Sequence, residues 1–352
     1  MDENFVVDLF DPPFAILAAG FRRLRDELAA SAELRSAVVE QGIDGVLNSD
    51  HPALVHLRKA RGELATQAEA DAEAAIAAAI HHAYPADGVI GEENRYEPVT
   101  DARRIWLIDP LDGTSEAIQQ LIADICDVPR RRRGAFAITV GAITSSTPEV
   151  GAIHELCFRD GELVQGDLWV GTPGGPTRCN GRPVPLRAHD VKELRDATIA
   201  CTVPEVMFPR HPDGTESLPS LRLVALRGLG AKVVTDLNAV GAMRVAGGSV
   251  DAFVEADITA PDLGALLGPL LGAGLTTTDL EGAPLQLDAC SLAAGPARDG
   301  KRDGTYQILA APPRLHLAIT EVMQRLRREH PDSRGPVGGT ASAHGYTSKA
   351  HV

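Results

Sequence analysis

Two carboxylates three residues apart, Asp109 and Asp112, stand in the segment Ile105-Trp-Leu-Ile-Asp109-Pro-Leu-Asp112-Gly-Thr114. Across such a turn both side chains and the Leu111 carbonyl can converge on one point. The apolar run before them reads as a buried strand, which Pro110 is expected to end at Asp109 because proline cannot donate to a central ladder. Gly113 permits close backbone approach. Thr114 or Ser115 is expected to cap the helix that follows, whose first turn then offers free N–H groups to a phosphate. Oxygen-only ligands beside a phosphate are the preference of Mg²⁺, which is held by one or two carboxylates plus substrate oxygens. The same residue types also build an ordinary surface turn with a capped helix after it.

Two further segments bear on that choice. Val89-Ile-Gly91-Glu92-Glu93 is a short apolar strand ending in glycine and paired acids, or simply a solvated strand end. Ala260-Pro-Asp262-Leu-Gly-Ala-Leu puts an aspartate at the start of an apolar helix, where the ordinary role is an N-cap.

The elements that must position these residues can be read from periodicity. Residues 13–85 are Ala-rich with recurring apolar positions and predict two or three amphipathic helices. Strands are predicted at 88–90, 105–108, 135–143 and 150–153, with a helix from Ser115 to about Ile125 and a turn at Gly171–Pro176. From Asp190 onward a strand at 197–201, a helix at 233–246, a strand at 252–254 and a helix at 262–273 alternate, which is an α/β pattern. The expected organisation is an N-terminal α+β half over 1–188, a C-terminal α/β half over 189–330, and a disordered tail over 331–352.

Composition narrows the function. The 34 basic against 48 acidic residues give a net charge of −14, which argues against nucleic-acid binding. The dense basic run Arg130–Arg133 reads as a solvated loop or as a contact to an anionic substrate. The five cysteines have no CxxC spacing and read as reduced thiols. The acidic N-terminus shows no secretory signal, and no run of about 18 apolar residues is apparent, so a cytoplasmic protein without a membrane span is expected. His81, His82 and His154 have no acidic partner at useful spacing and read as surface or packing residues. A kinase would need a Gly-rich Walker loop with lysine, which is absent.

Taken together and in order, from about Glu63 to Arg327, these segments resemble the inositol monophosphatase family of lithium-sensitive, Mg²⁺-dependent phosphatases, which includes nucleotide and fructose bisphosphatases. Gly91-Glu-Glu93 resembles its first acidic motif. Trp106–Thr114 matches its W-x-I-D-P-x-D-G-T signature, and Val245–Phe253 and the Asp262 helix resemble its later motifs. Asn180-Gly181 and Ala310–His316 match weaker landmarks. The resemblance implies a layered α-β-α-β-α fold of the sugar-phosphatase type and two or three Mg²⁺ ions. Glu92, Asp109 and the Leu111 carbonyl would hold one metal; Asp109, Asp112 and Asp262 would hold the second. Gly113, Thr114 and Ser115 would bind phosphate, Glu255 would contact substrate hydroxyls, and Thr114 with an acid from the upstream helix would orient the attacking water. It also implies a small phosphorylated metabolite as substrate and suggests a homodimer.

Four departures stand out. The family's T-E-A-D helix motif is Thr66-Gln-Ala-Glu69 here, so a longer carboxylate replaces the aspartate that helps activate water. Asp71 is no substitute, because two residues along a helix lie about 200° apart. Pro261 replaces a tryptophan, Glu116-Ala117 replaces a polar-aromatic pair ahead of an insertion running to Arg133, and Asp236-Leu-Asn238 replaces Gly-Ser/Thr-Ala near the substrate. The metal ligands are intact, so hydrolysis of an altered substrate is expected, with Glu69 costing rate. The competing expectation is a weak or inactive member that binds metal and a phosphorylated ligand as a regulator or scaffold.

Overall fold

The computed structural model describes residues 3–47, 49, 51–57, 66–94, 96, 102–128, 135–187, 190, 192–201, 224–235, 238–285, 287 and 306–329. Arg130–Arg133, Asp236, Cys290 and the tail over 331–352 lie outside these residues.

Three helices fill the early Ala-rich region as expected: α2 (Asp11–Ala30), α3 (Ala32–Leu47) and α4 (Gln67–Ala83), after a short α1 (Glu3–Asp8). Thr66 caps α4 in a reciprocal box, its hydroxyl accepting from the Glu69 N–H while Glu69 accepts from the Thr66 N–H. The buried face of α4 runs Ala68, Glu69, Ala72, Glu73, Ile76, Ala77, Ile80, a helical stripe that contains two carboxylates.

The first sheet is ordered β1 (Gly88–Gly91), β2 (Arg104–Asp112), β3 (Phe136–Thr144), β4 (Thr147–Arg159), β5 (Glu162–Gly171), β6 (Arg178–Cys179) and β7 (Arg182–Pro183). Only β1 and β2 are parallel. The second sheet is ordered β11 (Thr276–Thr278), β12 (Tyr306–Ala311), β10 (Ala252–Ile258), β8 (Thr198–Cys201) and β9 (Lys232–Val234). Helices α6 (Asn238–Ala246) and α7 (Ala260–Gly272) lie between the sheets, and α8 (Pro313–Glu329) covers the second sheet.

Side-chain alternation on β2 sorts the layers. Trp106 and Ile108 enter the core shared with α2–α4 and α5 (Thr114–Cys126), whereas Ile105 and Leu107 enter the core shared with α6, α7 and the second sheet. The result is the expected α-β-α-β-α stack.

Three local expectations need correction. Strand β2 runs through Pro110 to Asp112 across a register shift between Asp109 and Asp112; the irregular ladder there requires no donor from proline. Neither Thr114 nor Ser115 caps α5 (Thr114–Cys126). Gly113 does so in a left-handed conformation without a side-chain bond. The predicted helix over 233–246 is strand β9 followed by α6, because the β-branched Val233-Val234 pair with Ile199 and Ala200 of β8.

The N-terminal stretch Glu3–Ala30 is long and apolar enough to cross a membrane by length and composition, contrary to expectation. In this fold Leu17, Phe21, Leu24 and Leu28 of α2 are buried in the first core, so the apolar stripe is used internally.

Helix α7 approaches the first sheet more closely than ordinary side chains allow. A Cβ on Gly141 of β3 would lie 2.4 Å from the Gly264 backbone, and one on Gly151 of β4 would lie 1.9 Å from the Ala265 carbonyl oxygen. This contact sets the depth at which the first turn of α7 meets the end of β2. Gly141→Ala should therefore cost about 1–3 kcal/mol by overpacking, read as a lowered midpoint in urea unfolding. An unchanged midpoint would show that α7 is free to shift outward.

Candidate functional site

Three carboxylates from separate elements meet at the C-terminal ends of β1 and β2. Glu92 follows β1, and its N–H donates to the Ile108 carbonyl at 3.1 Å, which carries the β1–β2 pairing one residue further. Asp109 lies on β2, and Asp262 lies in the first turn of α7. Ligand oxygens of Glu92, Asp109 and Asp262 lie within 4.8 Å of one another. Asp262 is not the helix cap; Thr259 is, and the Thr259 hydroxyl donates to the Asp262 carboxylate at 2.6 Å.

Asp109 is only 3% exposed. Burial, then the charges of Glu92 and Asp262, push its carboxyl well above the usual range. Asp112 is pushed the same way by burial and by Asp262, against the Ala239 N–H of α6, which donates to it at 2.6 Å. The Leu111 N–H donates to Asp109 Oδ1 at 2.8 Å. Buried acids this crowded are unfavourable as anions unless a cation joins them. The donor set is all oxygen and drawn from rigid elements, which fits a hard divalent cation.

Beside this trio stands a second pair. Glu69 is 1% exposed and has both oxygens engaged: Oε1 accepts from the Thr66 N–H and Oε2 from the Thr114 hydroxyl, each at 2.8 Å. Burial raises its carboxyl from 4.5 to about 7. The Thr114 oxygen also lies 3.1 Å from the Leu111 carbonyl. A hydroxyl has one proton, and the shorter bond to Glu69 leaves the Leu111 oxygen available. Asp71 bonds Gln67 on the exposed side of α4, away from the site.

Gly113 has φ +92°, and a Cβ there would lie 2.6 Å from Asn238 Nδ2 and 2.7 Å from the Ala135 carbonyl, so a glycine is required on both counts. It starts α5, whose first-turn N–H groups at Thr114 and Ser115 precede the helix ladder. Glu255 on β10 and Glu116 in the first turn of α5 are near enough for their charges to raise Asp112.

The fold thus gathers Glu69, Glu92, Asp109, Leu111, Asp112, Gly113, Thr114 and Asp262, with Ser115 and Glu255 at the margin. His154 is buried against Phe10 and Phe14 as a packing residue, and burial lowers its pKa. Sequence reasoning missed Glu73 and the Ala239 N–H in the first turn of α6. A carboxylate four residues after Glu69 in an Ala-rich helix was the available signal for the first. For the second, the N–H that reaches Asp112 belongs to the backbone and leaves no mark on residue type.

The model of the inositol monophosphatase family matches residues 26–311. An inositol-1-monophosphatase of Rhizobium meliloti is 30% identical over 237 residues, covering 67% of this chain and 80% of that protein. Rat inositol monophosphatase 1 is 25% identical over 243 residues, covering 66% and 77%. Among solved structures, the inositol monophosphatase of Anabaena (Nostoc) sp. PCC 7120 superposes with TM-score 0.54 at 23% identity, covering 73% of this chain and 86% of that one. The extragenic suppressor protein suhB of Bartonella henselae does so with TM-score 0.55 at 19% identity, covering 84% and 96%. These structures share the layered fold. The chain belongs to the inositol monophosphatase family and is a phosphoric monoester hydrolase of phosphorylated small metabolites.

Proposed function

We propose that the chain hydrolyses a phosphate monoester of a small metabolite (an inositol-phosphate-like compound, a sugar phosphate or a nucleotide bisphosphate) with Mg²⁺ and a water nucleophile. The observation that carries this reading is the convergence of Glu92 and Asp262 on the buried Asp109. Glu92, Asp109 and the Leu111 carbonyl would hold one ion; Asp109, Asp112 and Asp262 would hold a second. Bound there, Mg²⁺ supplies acidification of water and charge neutralisation at the phosphoryl oxygens.

The protein supplies the rest. The N–H groups of Gly113, Thr114 and Ser115 at the start of α5 face the phosphate with the positive end of the helix. The Thr114 hydroxyl would orient the attacking water and take up the water's proton as its own moves to Glu69 Oε2, to which it is already bonded, so Thr114 ends as a hydroxyl and Glu69 as the acid. That bond supports hydrolysis over a purely ligand-binding role, because the longer glutamate reaches the threonine directly. Glu255 contacts the hydroxyls of the leaving group.

A Mg²⁺-dependent phosphate-release screen over sugar, inositol and nucleotide phosphates tests this reading. Asp109→Asn should remove several kcal/mol of transition-state stabilisation, about 10³-fold in kcat/KM. Glu69→Gln should lower kcat about 10²-fold and leave Mg²⁺ binding in place. Release by neither the native protein nor any variant, together with measurable Mg²⁺ binding, would favour the ligand-binding role.

The raised carboxyls also predict how stability follows pH. Protonated Glu69 is favoured in the folded state, so its contribution is complete below pH 4.5 and is lost as pH rises through about 7. Asp109 and Asp112 are shifted in the same direction. In EDTA the thermal midpoint should therefore fall between about pH 5 and pH 8, Glu69 alone accounting for on the order of 3 kcal/mol. Mg²⁺ binds the ionised ligands and should raise the midpoint more at the upper end of that window. A midpoint in EDTA that rises with pH over this window would contradict the electrostatic account.

A further inference from the structure

Four residues after Glu69 on α4 lies a second buried carboxylate, Glu73, which is 0% exposed and takes no part in the chemistry described above. Its partners are the backbone leaving β1. Oε2 accepts from the Glu93 N–H at 2.8 Å, and Oε1 accepts from the Asn94 N–H at 2.8 Å and the Tyr96 hydroxyl at 3.1 Å. The Asn94 carboxamide donates back to the Ala70 carbonyl of α4 at 2.9 Å, a second tie between loop and helix. On the other side of Glu92, a Cβ on Gly91 would lie 2.1 Å from Glu73 Oε1, so the carboxylate occupies the space that glycine leaves open.

We propose that Glu73 is a positioning residue for the metal centre: its carboxylate clamps residues 91, 93 and 94, and so aims Glu92 at Asp109 and Asp262. The proposal rests on the metal-centre reading above. Glu92 is the one acid of the trio that lies just past the end of its strand, where its N–H bond to the Ile108 carbonyl is the last of the β1–β2 pairing and the residues after it need other partners. Asp109 is held by β2 and Asp262 by α7. Glu73 supplies an acceptor oxygen to each of the two N–H groups that follow, which have left the ladder. An apolar residue would fill the position at lower desolvation cost, as Ile76 does one turn on, but it could not bond these groups. The i, i+4 pair on α4 thus serves both halves of the site: Glu69 holds Thr114, and Glu73 holds the segment bearing Glu92.

The test is Mn²⁺ binding to the full chain, with free Mn²⁺ read by electron paramagnetic resonance, alongside thermal unfolding in EDTA. Glu73→Gln replaces one acceptor oxygen with an NH₂ facing a backbone N–H, and should weaken Mn²⁺ binding about 10- to 100-fold. Tyr96→Phe removes a single bond and should weaken binding in the same direction by less. Asp87→Asn is the comparator: it removes the charge paired with Arg104 and leaves a weaker acceptor for Arg104 and Trp106 before the start of β1, and should lower the thermal midpoint with Mn²⁺ affinity unchanged. A folded Glu73→Gln protein that binds Mn²⁺ as tightly as the native one overturns the proposal. So does an equal loss in Asp87→Asn, which would make affinity a reflection of general stability. Should Glu73→Gln fail to fold, unchanged affinity in Tyr96→Phe overturns it instead. If the native chain binds no Mn²⁺, the metal-centre reading itself fails; if the native chain binds and the variants match it, only the role of Glu73 does.

Discussion

The structure is organised around a repulsion. Oxygens of Glu92, Asp109 and Asp262 come within 4.8 Å, where each like-charged pair repels by roughly 3–4 kcal/mol at an effective dielectric of about 20. Asp112, Glu116 and Glu255 add to the same field. A fold that buries such a cluster must hold it by force of packing and must supply positive potential. Backbone N–H groups from Leu111 and Ala239 donate to Asp109 and Asp112. The amino-terminal turns of α4, α5, α6 and α7 all border the site. Their dipoles partly offset the carboxylates, and a cation completes the balance.

Two of those helices share one construction. In α4 and α7 a threonine caps the helix and an acid three residues on, Glu69 or Asp262, is tied to it. The cap orders the side chain before any ligand arrives. In α4 the same construction explains how a glutamate serves where the family has an aspartate. One oxygen closes the capping box and the other reaches Thr114, so the extra methylene is absorbed by the helix start.

Packing then sets distance. Glycines on β3 and β4 let the backbone of α7 lie against the sheet, and Gly264 and Ala265 return the favour from the helix side. Asp262, in the chain's second half, is thereby delivered to Asp109 and Glu92 in the first. The depth of α7 and the reach of Asp262 are therefore one quantity, decided by residues that carry no chemistry of their own.

Oxygen donors, a permissive glycine and a helix start at Asp109, Asp112, Gly113 and Thr114 are local chemistry and were legible without coordinates, whereas Glu92 and Asp262 joined them through the ordered resemblance to the family. The early helices and the strands leading into the site were equally legible from their apolar periods. The β9–α6 boundary was not, since Val233 and Val234 suit either a buried helix face or a short strand, and only pairing with β8 selects the strand. Asp109-Pro-Leu-Asp112 taken alone left a surface turn as open as a metal site; burial of Asp109 beneath α7 separates the two. Which acid accepts from the Thr114 hydroxyl, which N–H group from α6 reaches Asp112, and that Glu73 grips the backbone around Glu92 were decided by tertiary structure alone. These are contacts between segments 20 to 127 residues apart, and no local pattern of residue types encodes a distance of that kind.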